Sequence, residues 1–487
     1  MPRPVLDVQY GGASGGADLL RTSFSAGYDT ERLRTTVIFD YYERDFLLGS
    51  ERDLWRDQDY SRHGGLDYRS MAGVPGTVSS LHGDNLPGLS SSFAMVPEGS
   101  RGLGLTPQDF AATAGMRNRT STLSTLSIVP QAKQRSLALF GEYDVTPDLV
   151  AFAEVLYTNR QTISQEGLYP VQSALVPANN PFNPFQQPVL VDFILDGIEP
   201  RRFEHDMNWL RGAFGLRGSL SSAWQWEVAA LASTESGDAR STIEVSAERI
   251  SEALAQTDPA RALNPFVDGP AGSKELLDSL IERDHDRHFS RGRQLSAFVH
   301  GDLFDLPAGP IRAVVGGEWR DETMIYDDRA LPVNDGRDMR AAFTELRIPL
   351  LGSTAANDRD VLSMTMAARL DHYSDFGSSL NPQIGLMWQP TQDILLRGSY
   401  STSFRPPSLF ELHAPRTTVT NSGVADPARN DALSTVTFVA GGNPNLRPIE
   451  ADSMTTGFVL TPSALPGLQL LTNYWRINTD HRVTFVH

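Results

Sequence analysis

Cysteine is absent from this 487-residue chain, which removes disulfides, thiolate metal sites and thiol nucleophiles together. That absence fits an exported bacterial protein. Also missing is any run of about 18 apolar residues, so no membrane-spanning helix is encoded. A β-barrel escapes that test, because each of its strands needs only about 9–11 residues and is polar at every second position. Basic residues are the minority charge: 42 Lys and Arg stand against 59 Asp and Glu, a net charge of −17. Phosphate backbones repel such a balance, so a broad nucleic-acid-binding role is excluded as an expectation. The opening residues MPRPVLDVQYGG carry no apolar core and no small-residue cleavage site, and do not read as a signal peptide.

What is present is alternation with a period of two. Between Ala368 and Ser408 the chain reads as strand, loop, strand, tight turn, strand. In the last strand Ile394, Leu396, Gly398, Tyr400, Thr402 and Phe404 share one face, and Leu395, Arg397, Ser399, Ser401, Ser403 and Arg405 share the other. The same pattern recurs in Leu33–Tyr41, Lys133–Asp144, Leu149–Arg160, Glu204–Leu220, Trp224–Ser236, Gln294–Leu306, Ile311–Glu322, Ala341–Leu351 and Leu362–His372. Strands also read at Val5–Tyr10, Leu19–Tyr28, Asp452–Thr461 and Leu468–Val483, for a total of about 15. Short turns alternate with long stretches rich in Gly, Pro and Asn, at roughly 49–130, 161–203, 237–289 and 406–448. Loops of that length are functional or disordered as a rule. The third holds the one helical pattern, in RISEALAQTDPARAL and KELLDSLIERD. Short turns at one end and long loops at the other are expected of an outer-membrane barrel. Trp224 and Trp226 stand beside a short turn, where an aromatic girdle would lie. No fixed-period repeat points to a propeller or solenoid. A water-soluble all-β protein with a covered apolar face shows the same alternation and stays open at this point.

At the Ala368–Ser408 stretch the sequence resembles the β-barrel of TonB-dependent outer-membrane receptors. RLDHYSDFGSSLNPQIGLMWQP (Arg369–Pro390), LLRGSYSTSFRPPSLFEL (Leu395–Leu412) and GNPNLRPIEADSMTTGFVLTP (Gly442–Pro462) carry the resemblance. NYWRINTDHRV (Asn473–Val483) looks like the strand that follows in that family, and GGLDYRS (Gly64–Ser70) with its following PG looks like an early extracellular loop. Ile449 stands between the Pro of the NPNLRP motif and Glu450, a small departure. The resemblance implies an all-β, transmembrane, antiparallel up-and-down barrel of about 22 strands around a separate plug domain. It implies residence among outer-membrane lipids of a Gram-negative cell and uptake of a scarce, large solute: ferric siderophore, cobalamin, haem or oligosaccharide. The TonB–ExbB–ExbD system would supply the energy through the plug. Residues 1–487 are expected to form one partial barrel domain, without a plug, with about 15 of those strands and no terminal aromatic at its end, Phe485 being close to it. Such a piece is expected not to transport alone. A passive porin-like channel is the second reading.

No catalytic constellation stands out, and no cofactor or metal is expected. His285 and His288 have a spacing that would suit a metal on a helix, but no third ligand is placed and solvated histidines explain them. Asp284, Asp286, Asp327 and Asp328 lack the alternating ligands and central glycine of a calcium loop. GGASGG has no following Lys-Ser/Thr and reads as a hairpin turn, not a phosphate cradle. Arg211, Arg217, Arg369, Arg397 and Arg405 fall on the polar faces of their strands. They suit an anionic solute or an acidic plug surface, or simply a solvated wall of alternating charge. The Asn-Pro-Phe stretches (Pro181–Phe185 and Asn264–Phe266) and Phe404–Phe410 suit either an aromatic cargo site or rigid loop packing.

Overall fold

A computed structural model describes residues 3–327, 332–352, 360–429 and 432–484. Fifteen strands form one antiparallel meander: β1 Val5–Ala13, β2 Gly16–Asp29, β3 Leu33–Arg44, β4 Gln131–Thr146, β5 Leu149–Gln165, β6 Arg202–Ser219, β7 Trp224–Val245, β8 Ile281–Leu306, β9 Gly309–Asp327, β10 Val333–Gly352, β11 Asp360–Tyr373, β12 Gly377–Trp388, β13 Ile394–Arg405, β14 Ile449–Leu460 and β15 Leu470–Asp480. Each pairs with the next in chain order, and β1 and β15 are the two edges of an unclosed sheet. GGASGG is the β1–β2 hairpin turn, with Gly15 at φ +85° and Gly16 at φ +147°, a backbone that glycine tolerates best.

The register assembles the apolar stripes into a band. Phe214 lies opposite Ala153 and Ala230, Ala230 opposite Leu295, and Leu295 opposite Trp319. Phe214, Leu295 and Trp319 stay exposed, as do Leu210, Val315, Leu370, Ile384 and Tyr400 on the same face. On β8 this stripe runs from Leu295 to Leu303, which at about 3.3 Å per residue and a tilt near 40° crosses about 20–25 Å. Above Leu295 the face turns polar abruptly, in a row formed by Arg293, Asp321 and Asp338.

Conventional burial is found elsewhere. The largest fully buried side chains, Phe110, Phe266, Leu86, Leu195, Leu254 and Leu263 among them, all belong to the long connections at 45–130, 166–201 and 246–280. These connections are not merely polar loops. Thr77–Ser80, Phe93–Met95, Pro170–Val176 and Val189–Ile194 pair into a separate four-stranded sheet. Helices α1 (Ala247–Leu254) and α2 (Lys274–Ser279) overlap the two expected helical segments, the end of the second being strand β8 from Ile281, and they pack Ile250, Leu254 and Leu277 into the same core. Three loops thus form one cap. A soluble sandwich buries the inner faces of its sheets against each other; here the core lies in the cap and the large sheet leaves its apolar face uncovered.

Sequence-derived boundaries shift most at two places. The third connection is shorter than 237–289, because β7 and β8 continue as a long hairpin to Val245 and from Ile281. Likewise β10 begins at Val333 rather than Ala341. Both extensions are rich in Arg, Asp and Glu, which reads as loop in a sequence but suits strand ends standing in water.

Cross-strand packing on the polar face uses glycine as a seat for aromatic rings. Gly215 lies opposite Phe152, and Gly316 opposite Phe343. A Cβ on Gly316 would fall on the Phe343 ring and stand 2.8 Å from the Ala297 carbonyl oxygen. Gly316→Val is therefore expected to cost about 1–3 kcal/mol through overpacking, measured as a lowered urea midpoint. Gly317→Val, whose Cβ meets nothing closer than 3.4 Å, is the control.

Candidate functional site: the charged wall and its rim

The polar face carries two ionic networks. Near the short turns, Glu142 on β4 binds Arg34 of β3 at 3.1 Å and also Arg217 of β6, while Arg34 reaches Asp144 at 2.9 Å. Toward the long-loop end, Glu318 and Glu322 of β9 flank Arg320, and Arg369 of β11 bridges Glu318 and Asp371. Arg337 of β10 is the centre of the second network. Its guanidinium donates to Glu322 at 3.0 and 3.1 Å, to Asp375 at 3.3 Å and to the Pro407 carbonyl at 2.8 Å. It also lies over the Tyr373 ring. Only 9% of this side chain is exposed.

Four of the five arginines singled out by sequence are held by carboxylates of the wall or its rim. Arg211 pairs with Glu154 at 3.3 Å, Arg217 with Glu142, Arg369 with Asp371 at 2.9 Å and Arg405 with Glu411 at 2.9 Å. Arg217 and Arg369 repeat one arrangement, each lying over the ring seated on a glycine, Phe152 and Phe343. Arg397 differs: its guanidinium donates to Asn473 at 2.8 Å, and among the described residues no carboxylate pairs with it. Sequence reasoning missed the acids and Arg337. Glu318, Glu322 and Asp371 share parity with the arginines they bind, and that signal was readable. Arg337 lies in the segment that reads as loop.

At the rim the chain after β13 turns into a short helix, α3 (Leu409–His413). Ser408 caps it, its hydroxyl accepting from the Glu411 N–H while Glu411 accepts from the Ser408 N–H. Burial pushes the Glu411 carboxyl up, but Arg405 and Ser408 more than offset this and hold it below the usual range. His413 pairs with Asp335 on β10 at 3.1 Å. Phe404 joins Tyr373 and Phe376 in an aromatic cluster, and Phe410 meets Tyr326 edge-on.

The Asn-Pro-Phe triplets pack the cap. Asn180, Asn183 and Asn264 each accept, on Oδ1, the backbone N–H of the phenylalanine two residues on, at 2.9, 3.0 and 3.1 Å. Such Asx turns fix the chain locally. Phe185 and Phe266 then bury against Phe110, with ring centroids at 5.1 and 6.4 Å. Rigid packing accounts for both rings.

His285 and His288 are on strand β8, not on a helix, so their side chains take opposite faces. His285 meets Asp238 and His288 meets Glu235. Asp284 and Asp286 lie on the same strand and Asp327 ends β9; Asp328 and Phe485 lie outside the described residues. Among the described residues no group of three or more His, Asp or Glu side chains could hold a metal ion.

In the first cap loop Asp67 accepts from Arg69 at 2.9 and 3.0 Å and lies 3.3 Å from Arg119. The Arg69 guanidinium is the main reason its carboxyl is held at about 2. A depressed carboxylate stabilises the fold above its ordinary value and stops doing so as pH falls through the depressed one. The 59–69 loop is expected to stay ordered at pH 4 and loosen toward pH 2. Protease cleavage within it would report this, and Asp67→Asn should reduce the pH dependence to the part contributed by Asp59, whose carboxyl the Ser61 hydroxyl holds below the usual range.

The β-barrel model described as "TonB dependent receptor-like, beta-barrel" matches residues 156–487. Among solved structures, a point mutant of the ferric enterobactin receptor of Pseudomonas aeruginosa aligns with a TM-score of 0.53 at 12% identity, covering 98% of this chain and 52% of that one. The siderophore receptor PirA of Acinetobacter baumannii gives 0.54 at 10% identity, again 98% and 52%. PirA of Pseudomonas aeruginosa gives 0.51 at 13%, with 98% and 55%. The chain thus spans about half the length of these receptors. No curated protein sequence matches it. Proteins of this family are Gram-negative outer-membrane receptors, and with its model covering more than half of the sequence, the chain belongs to the TonB-dependent receptor-like β-barrel family.

Proposed function

We propose that this chain forms the larger part of the membrane wall of an importer energised by the TonB system. Its cargo is a scarce, large solute; a ferric siderophore comes first, as for the neighbours named above, with cobalamin, haem and oligosaccharide behind it. The observation that carries the reading is the uncovered apolar band on a fifteen-stranded meander, three of whose long connections fold into a packed cap at one end.

Unpaired edges cannot stand in lipid. Fourteen successive antiparallel pairings leave β1 and β15 running the same way, so direct closure would be parallel. Antiparallel closure needs an odd number of further strands, and a wall of about 22 meets that condition. We infer that further strands complete the wall and that a plug fills it, with Arg211, Arg217, Arg369, Arg397 and Arg405 facing plug or solute. Arg397, the one without a carboxylate, is the strongest candidate for such a contact.

Energised uptake separates this from a passive channel. In cells whose receptor carries this wall, accumulation of a labelled ferric siderophore should stop when TonB is deleted. Accumulation that persists without TonB would favour a pore. For the purified chain alone, heat-modifiable gel mobility together with stable membrane insertion would contradict the need for further strands.

A further inference from the structure

We propose that the lipid-facing side of β8 and its neighbours holds a phosphorylated lipid headgroup at the outer border of the apolar band. The proposal rests on the reading of that band as lipid-facing.

Every second residue of β8 above Leu295 is basic or aromatic: Arg293, Arg291, Phe289, Arg287, His285 and Arg283 share the face of Leu295, Ala297 and Val299. Four arginines on one stripe are unusual in a chain of net charge −17. The lowest two stand directly on the band. Arg293 is exposed and, among the described residues, has no hydrogen-bond or ion-pair partner. Arg291 reaches Asp321 only at 4.0 Å and Thr323 at 3.4 Å, and its Nε–H is buried without an acceptor. Two strands away Arg340 is opposite Trp319, 75% exposed and 3.7 Å from Asp338. Adjacent strands are about 4.8 Å apart, so Arg293 and Arg340 stand roughly 10 Å apart across β9, Arg340 level with the exposed Leu295 and Trp319 and Arg293 two residues further along the same face.

Those features suit one amphiphile. Acyl chains would lie on Leu295, Trp319 and Phe214 while a phosphate takes the guanidinium donors of Arg291, Arg293 and Arg340. Cations at this depth attract anionic headgroups. Asp321 and Asp338 share the row and oppose a bare anion, so a headgroup bearing more than one phosphate, or phosphate with a bridging divalent cation, fits better than a single free phosphate. Higher on the stripe, Asp238 already engages His285 at 2.7 Å and Arg287 at 3.5 Å; those two are not part of the site.

The test uses the receptor that carries this wall, extracted from outer membranes into a nonionic detergent and titrated with diphosphoryl lipid A, the bound lipid being counted by native mass spectrometry. Wild type should retain one lipid A, and R291Q/R293Q/R340Q should bind on the order of a hundredfold more weakly. R293Q alone, which breaks no contact in the fold, should weaken binding about fivefold, and R293K should retain most of it. Equal retention by wild type and the variants would overturn the proposal. So would retention of phosphatidylcholine to the same extent, or complete displacement by millimolar pyrophosphate, which would mark a soluble-phosphate site. Protein dimers that the triple substitution dissociates, without lipid adducts, would assign the patch to contact between copies. Failure of the underlying reading looks different: the protein would leave the membrane without detergent.

Discussion

Substituting Arg337 by alanine is expected to remove about 3–5 kcal/mol of stability, the usual cost of breaking a buried ion pair from one side. The side chain is 9% exposed, and Asp375 beside it 13%. Its removal strands the Glu322 and Asp375 carboxylates and releases Pro407, the point where the fourth long connection begins. Two consequences should appear together. The urea midpoint falls, and the 406–448 connection becomes protease-sensitive while the cap stays intact. Arg337→Lys keeps a charge but loses the fork that reaches Glu322, Asp375 and Pro407 at once, so it should recover only part of the loss. If alanine left the midpoint unchanged, the network would be a surface feature worth little, as most exposed pairs are.

Phe110→Ala should have an effect of similar size in a different place. The ring is fully buried and packs on Phe185 and Phe266, one from each of the other two cap loops. Truncating a buried phenylalanine costs about 3–5 kcal/mol. Because this core meets the large sheet only through Val245 and Ile281, at the ends of β7 and β8, the damage should be local. Hydrogen exchange is expected to rise across 77–95, 170–194 and 247–280 and to stay low in β8 and β9. A uniform rise over the whole chain would show that cap and wall unfold as one unit.

These two positions also show where the sequence was readable. Period-two alternation in β13 or β8 is imposed by strand geometry and needs no partner to be seen. The five arginines were visible for the same reason. Arg337 was not, because its strand begins in a stretch of Asn, Asp, Gly and Arg that resembles loop until Glu322 and Asp375 are placed beside it. The cap was missed for another reason. Its strands are short, its helices single, and its core is assembled from three segments distant in sequence, so no local pattern announces it. Asn180, Asn183 and Asn264 did leave a trace in the repeated Asn-Pro-Phe triplets. That trace could be read as cargo site or packing until Phe185 and Phe266 were found buried against Phe110.

The central claim is that one face of the sheet meets lipid and the other a wet interior, and the absence of cysteine makes it directly measurable. Single substitutions Ser296→Cys, Ala297→Cys, Phe298→Cys and Val299→Cys can be read in isolated outer membranes with a water-soluble maleimide and with a lipid-phase quencher. The account expects positions 296 and 298 to react from water, and a fluorophore at 297 or 299 to be quenched from the lipid phase. Four positions that react alike, or water reactivity at 297 and 299, would contradict it.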